Sequence, residues 1–460
     1  MDIKKYTSPY EFEGRIPLKK AIPLGLQHVL AMFVGNLTPL LIIIAACGGS
    51  ELELLRVSIL QNAMLIAGIV TLIQLYTIGP IGGKVPIVMG ASSSFIGVFQ
   101  SIINIMGGGI LAYGAILGAS IIGGLVETVF GAFLKPLRRF FPPIVTGTVV
   151  LTIGLSLIPV GINLFAGGNG SLDFGSLENL MVALSVMAVI LIFKHYTKGF
   201  TSTASILIGI IFGYILCFAL GFILPTTGVN AAGVEFTKAW ALNLESITTA
   251  SWFAVPKIMP VMPVFDIRTI IPVGIMFLVS AVETIGNISV CTEGGMNREA
   301  TTKELSGGVM GDGIGSVLAA LFGVLPNTAF SQNAGLVSLT KMVNRFALTI
   351  GAIFLILCGL IPKLSVLISS MPQPVLGGAA VIMFSSIIMS GIQLITKEPL
   401  NSRSITIVSI AIGLGYGLGS NSLALSGLPP FISLIFGGSG FVPATLIAIL
   451  LNIILPKEED

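Results

Sequence analysis

Fourteen apolar segments follow one another along the chain, at about residues 22–46, 57–78, 85–105, 109–133, 141–162, 178–195, 200–223, 269–289, 307–325, 326–340, 343–361, 372–394, 403–420 and 428–455. A helical crossing of a bilayer needs about 20 apolar residues, and only helices or closed barrels satisfy their own backbone polar groups in hydrocarbon. The chain therefore reads as an all-α polytopic membrane protein. Its charge content agrees: 9% of residues are charged, against about 25% in soluble domains. The longest stretch without a span, about residues 225–268, is too short for an ordinary domain.

Orientation follows from the basic residues. With a cytoplasmic N-terminus and fourteen crossings, eighteen of the 23 lysines and arginines fall on the cytoplasmic side. The remaining five are Arg56, Lys238, Lys257, Arg268 and Lys363, most of them in or beside the 225–268 loop, where the positive-inside rule counts least. Both termini are thus expected in the cytoplasm, and the membrane is expected to be the cytoplasmic (inner) one. No cleavage-site pattern follows the first apolar run, so no removed signal peptide is expected. Seven crossings before and seven after the long loop preserve the charge bias, and because seven is odd the halves are inverted.

The halves also resemble each other. Pro143-Ile-Val-Thr-Gly147 and Pro374-Val-Leu-Gly-Gly378 each lead into about the fifth segment of their half. Pro86 and Pro326 each precede a small-polar cluster in the third, which holds Ser92, Ser93 and Ser94 in one half and Ser331, Gln332 and Asn333 in the other. Proline favours an extended residue before it, so residues 326–340 read as an extended piece running into a half-helix that begins near Gln332. A half-helix starting at mid-membrane points its positive dipole end into a cavity. Matched broken segments in two inverted halves mark a transporter binding site.

Ionisable residues inside the segments are few. Glu283, in Val282-Glu-Thr-Ile-Gly286, lies about mid-span, where an ionised carboxylate facing lipid is expensive. It is expected to face the cavity, accept a hydrogen bond from a ligand N–H and suit proton coupling. Gln332 offers donors and an acceptor, which fits the adjacent N–H and C=O groups of a nucleobase edge. Asn333 does the same or satisfies neighbouring backbone. Ser94 and Phe95, at the matching site of the first half, supply backbone amides and an aromatic face for a planar ligand. Asp312 serves either as a helix cap or in the site, and His28 as a hydrogen-bonded core imidazole or a proton relay. Glu127, in the fourth segment, has no partner that the sequence names and reads as an interhelical packing residue.

Gln332-Asn-x-Gly-x-x-x-x-Thr340-Lys-x-x-x-Arg345 resembles the signature of the nucleobase–ascorbate transporter (nucleobase:cation symporter-2) family. Similar too are Gln27-His28, Ser92 to Phe95, Val282 to Gly286 and Asp312. The resemblance covers nearly the whole chain. It implies a 7+7 inverted-repeat fold with short strands in segments 3 and 10. A core domain would take residues 1–134 and 269–362, a gate domain residues 135–225 and 363–460, and an extracytoplasmic loop residues 226–268. It further implies a proton symporter, often homodimeric, in which Glu283 and Gln332 hold the base, backbone near Phe95 and Ser331 assists, and His28, Asp312 and Asn333 support the site. Many purine members carry Asp where this chain has Asn287, so a proton role at that position is not implied here. Uracil members have Gly-Glu-Asn at Ser331-Gln332-Asn333, which points this chain toward xanthine or uric acid, with a uracil or other nucleobase carrier as the alternative.

Other classes fit less well. An inorganic-anion carrier would offset Glu283 with an intramembrane basic group, a channel would need repeated filter residues, and an enzyme would need a nucleophile–base pair that His28 and His195 do not provide. The scattered Cys47, Cys217, Cys291 and Cys358 suggest neither a disulfide framework nor a metal site, and neither a cofactor nor nucleic acid is expected.

Overall fold

Caps and prolines set the helix boundaries in the computed structural model, which describes residues 6–134, 142–168, 171–198, 200–203, 205–229, 235–242, 251–397, 399–425, 427 and 440–456. In the first half the helices are α1 (Leu18–Cys47), α2 (Ser50–Tyr76), α3 (Ile96–Met106), α4 (Gly109–Ala132), α5 (Pro143–Phe165), α6 (Leu177–Tyr196) and α7 (Ser205–Ile223). In the second they are α8 (Ile267–Ser289), α9 (Thr302–Leu321), α10 (Ser331–Thr340), α11 (Arg345–Cys358), α12 (Gln373–Ile395), α13 (Ser402–Ser420) and α14 (Phe441–Ile454), with a short helix, Pro362–Ser369, between α11 and α12. Ser176, Asn344 and Asn401 cap α6, α11 and α13 by accepting a backbone N–H. Thr301 and Glu304 form a reciprocal capping box at the start of α9. Pro143 and Pro374 sit in the first turns of α5 and α12, where the missing N–H costs nothing.

Seven of these helices, α2, α4, α5, α6, α7, α8 with its π-helical extension to Gly295, and α12, are long and apolar enough to cross a bilayer. The others are shorter or more polar, and two are short for a visible reason. The third and tenth segments each spend their first residues in a strand: β1 (Met89–Ala91) and, after the β2–β3 hairpin (Thr227–Val229, Glu235–Thr237), β4 (Asn327–Ala329). β1 and β4 pair antiparallel, with Gly90 opposite Thr328. Strands this short have few backbone partners of their own, so side chains supply the rest. Asn36 Oδ1 accepts the Ala91 N–H at 2.7 Å, Thr71 Oγ1 the Met89 N–H at 2.9 Å, and Ser316 Oγ the Asn327 N–H at 3.0 Å. Gly90 is required by close approach, because a Cβ there would lie 2.5 Å from Met32 and 2.8 Å from Phe330.

Each strand then turns into a helix, β1 through a 3₁₀ turn (Ser93–Phe95) into α3, and β4 directly into α10. The expected half-helix is therefore present and begins at Ser331. Around this clasp, α1 packs on α2 and α11, and α4 packs on α8 and α9. Separately, α12 lies along α5, and α13 and α14 pack against each other and against α5. In the stretch read from sequence as a bare loop, Trp240 is wholly buried and donates from Nε1 to Glu178 at 2.9 Å, tying the loop to α6. Of the fourteenth segment, residues 428–439 lie outside the described residues, as do Lys4, Lys5, Lys135, Arg138, Arg139 and Lys457, six of the eighteen basic residues assigned to the cytoplasmic side.

Candidate functional site

A cavity of about 110 Å³ opens where β1, β4 and the starts of both half-helices meet α8 and α12. Its walls are Ala91 to Ser94, Glu283, Thr328 to Ser331, and Ser386, Ile387 and Ser390. Glu283 is the only ionisable residue among them. Ser94 donates to its Oε2 at 3.0 Å, and Ser331 makes a longer contact to Oε1 at 3.4 Å. Ser331 stands in the first turn of α10 and Ser94 in the 3₁₀ turn that leads into α3, so the carboxyl group sits where two positive helix ends converge. Two donors leave part of its acceptor capacity free for a ligand N–H. First-turn N–H groups have no intrahelical acceptor, so the same walls also offer donors. A flat molecule carrying both N–H and C=O groups along its edges matches this arrangement.

The supporting residues lie one layer out. Asn333 Nδ2 and His28 Nδ1 are 2.6 Å apart, and Asn333 Oδ1 accepts the Val88 N–H at 3.1 Å. The histidine thus braces α10 against the approach to β1 and does not reach the cavity wall. Asn287 donates to the Ala329 carbonyl at 2.9 Å and so pins β4 to α8. Asp312, in the interior of α9, is no helix cap. Its Oδ2 accepts from Thr284 and, at 3.1 Å, from Thr328. The Thr328 hydroxyl is also 3.3 Å from that of Ser280.

Phe95 departs from the expectation of an aromatic face in the slot. Its ring is wholly buried, 5.6 Å from the Phe99 ring and 4.8 Å from the Phe277 ring. An apolar ring in a first helical turn gains more from the i+4 ring and the neighbouring helix than from a polar cavity. The aromatic residue that lines the cavity is Phe330. Gln332 lies in the first turn of α10, and its side chain lies outside the described residues.

Sequence reasoning missed the α12 contribution. Ser386 and Ser390 lie on one face of a mostly apolar helix, at i and i+4, and that spacing is the signal that marks them. A second cavity, about 320 Å³, is lined by Gln100, Asn163, Ser171 and Gln373 among others, with no ionisable residue among the described residues that line it. Among the described residues no group of three His, Cys, Asp or Glu side chains is placed to hold a metal ion.

A family model described as "Permease family", Xan_ur_permease, matches residues 19–421. The putative purine permease CPE0397 of Clostridium perfringens is 36% identical over 98% of this chain and 93% of its own. The uric acid permease PucK of Bacillus subtilis is 35% identical over 93% of this chain and 94% of its own. The xanthine permease XanP of Escherichia coli is 30% identical over 98% and 95%. Among solved structures, the transmembrane domain of the cyanobacterial bicarbonate transporter BicA matches with a TM-score of 0.58 at 16% identity, over 92% of this chain and 98% of that one. SLC26A9 matches at 0.62 and 10%, over 94% and 65%. At such identities the likeness speaks for the fold alone, and that fold is the 7+7 inverted repeat expected from sequence.

Proposed function

We infer what this chain carries, and how, from the fact that it belongs to the Xan_ur_permease (nucleobase:cation symporter-2) family of permeases, and so is a polytopic membrane transporter and not an enzyme. Its substrate is an oxidised purine, xanthine or uric acid. The observation that carries this reading is Glu283 at the meeting of two half-helix starts, held by one serine from each. A purine N–H donates to the Glu283 carboxylate, ring carbonyls accept from first-turn N–H groups and the Gln332 amide, and Phe330 offers a face. The names of the relatives support the class. The bicarbonate-transporter likeness does not extend to cargo, because a carboxylate in the pocket repels a small anion unless a cation offsets it, and among the described residues no lysine or arginine lines the cavity.

Transport proceeds by alternating access. The group formed by α1–α4 and α8–α11 acts as the core and carries the base, while α5–α7 and α12–α14 form the gate. Ser386 and Ser390 are the gate's contribution to the pocket. Uptake is driven by protons, inward across the cytoplasmic membrane, with both termini in the cytoplasm and two copies assembling as a homodimer in the bilayer. The test is uptake of labelled xanthine by cells making the protein, with xanthine, urate, hypoxanthine, guanine and uracil as competitors, before and after the proton gradient is collapsed. Competition by xanthine or urate and loss of accumulation on collapse are expected. Competition by uracil alone would reject the purine assignment, and undiminished accumulation would reject proton coupling.

A further inference from the structure

Asp312 is held from one side only. Its Oδ2 takes two hydroxyls, from Thr284 and Thr328, whereas its Oδ1 is buried with no donor. Glu127, on α4, stands one helical turn from Gly124, which meets Gly313 beside Asp312, and both its carboxyl oxygens are likewise buried with no donor. Neither residue has any exposed surface. The seal comes from glycine. A Cβ at Gly124 would stand 2.7 Å from the Gly313 carbonyl, and one at Gly313 would stand 2.5 Å from the Gly124 carbonyl, so α4 and α9 meet backbone to backbone beside the pair.

Three buried acceptors without a donor are unfavourable, and two ionised carboxylates side by side repel strongly where water is excluded. One proton between them relieves the repulsion and gives Asp312 Oδ1 a donor, since a protonated carboxyl group donates and its neighbour accepts. The only other charged group acting on the pair, among the described residues, is Glu283 of α8. The basic residues on the helices packed around α4 stand toward the starts of their helices: Lys19 and Lys20 on α1, Arg56 on α2, Arg268 on α8 and Lys303 on α9. His28 of α1 is engaged with Asn333.

We propose that Glu127 is a positioning residue. By sharing one proton with Asp312 it fixes that carboxyl group in the orientation that receives Thr284 and Thr328. Thr284 follows Glu283 in α8, and Thr328 belongs to β4 and lines the cavity. The Glu127–Asp312 pair therefore sets the spacing between the ligand-facing carboxylate and the strand opposite it. This inference rests on the purine reading above for its binding consequence and on the carboxyl pair alone for its proton.

The experiment uses the purified full-length protein, with labelled xanthine binding measured across pH for wild type, Glu127→Gln and Glu127→Leu, and with the infrared carboxylic-acid C=O band recorded without purine. A glutamine amide donates permanently to Asp312, so Glu127→Gln is expected to bind within about twofold of wild type at neutral pH. Its binding should then persist to higher pH than wild type, the purine's own ionisation cancelling in the comparison. Glu127→Leu leaves Asp312 Oδ1 without a donor and should bind about tenfold more weakly or worse. The wild-type protein should show a protonated-carboxyl band that Glu127→Gln lacks. An unchanged pH profile in Glu127→Gln overturns the positioning role, even if Glu127→Leu fails to fold, and a band that survives in Glu127→Gln overturns the shared proton. Wild-type protein that binds no xanthine rejects the substrate assignment instead, and the infrared comparison then decides the proton by itself.

Discussion

At the scale of single residues, the pocket depends on a charge held by hydroxyls. Hydrogen bonds to a charged group contribute about 1.5–3 kcal/mol, so Glu283→Ala is expected to weaken purine binding by about 10- to 100-fold and to bring labelled-xanthine uptake to background. Wild-type uptake by that variant would remove Glu283 from the site. Ser331→Ala removes only the longer of the two serine contacts, and a loss of about 0.5–1.5 kcal/mol, a few-fold in KM, is expected. Gln332→Glu exchanges an amide donor for a second carboxylate, and the competition panel should show preference moving away from xanthine and urate. Glu283 stood out in the sequence because an acid within an apolar run is a local signal. The ring of Phe95 did not, because whether an aromatic side chain turns to a cavity or to Phe99 and Phe277 depends on neighbours that only the fold supplies.

At the scale of elements, the broken third and tenth segments were legible because proline and clustered hydroxyls interrupt apolar runs in both halves. Their pairing partners, Asn36, Thr71 and Ser316, were not, since an isolated polar residue in a helix reads the same whether it serves a strand or another helix. The α4–α9 contact was equally hidden, and with it the partner of Glu127. Because a Cβ on Gly313 would meet the Gly124 carbonyl and Thr128, Gly313→Ala should destabilise by about 1–3 kcal/mol. Detergent-solubilised protein with an unchanged melting temperature would argue against that close packing.

The entry to α9 is held by Glu304. Burial alone would raise its pKa, but hydrogen bonds from the Arg298 guanidinium and from the Thr301 backbone N–H and hydroxyl more than offset that and hold the carboxyl group below the usual carboxylate range. A depressed folded-state pKa means stabilisation that is present above the ordinary value, about 4.3, and is lost as pH falls through the folded one. Thermal unfolding should therefore show Glu304→Gln less stable than wild type at pH 7, with the gap narrowing as the pH is lowered toward and below 4. A gap that widens on acidification would contradict the assignment.

At the scale of the whole molecule, the cavity draws its walls from β1, β4, α8 and α12, with Ser386 and Ser390 of α12 lining it together with Glu283. All four native cysteines are buried, which makes thiols slow to react. A cysteine placed at Ser390 is thus expected to be labelled selectively by a small thiol reagent, and bound xanthine should slow that labelling several-fold. Labelling indifferent to xanthine would separate α12 from the pocket. The charge bias and the inverted halves were legible from sequence, because they depend on counts and on matched positions. The face that α12 turns to the pocket was marked only by Ser386 and Ser390 at i and i+4, and Ser385 on the adjoining face blurs that signal.

The β1–β4 clasp bears on how the protein is made. Each strand finds its edge partner only in the other half of the chain, and synthesis at about 5–20 residues per second delivers the second strand on the order of tens of seconds after the first. During that interval the nascent N-terminal half holds an open strand edge within the bilayer, with no water to satisfy it. A product truncated before residue 327 lacks β4 and leaves the β1 edge without its partner.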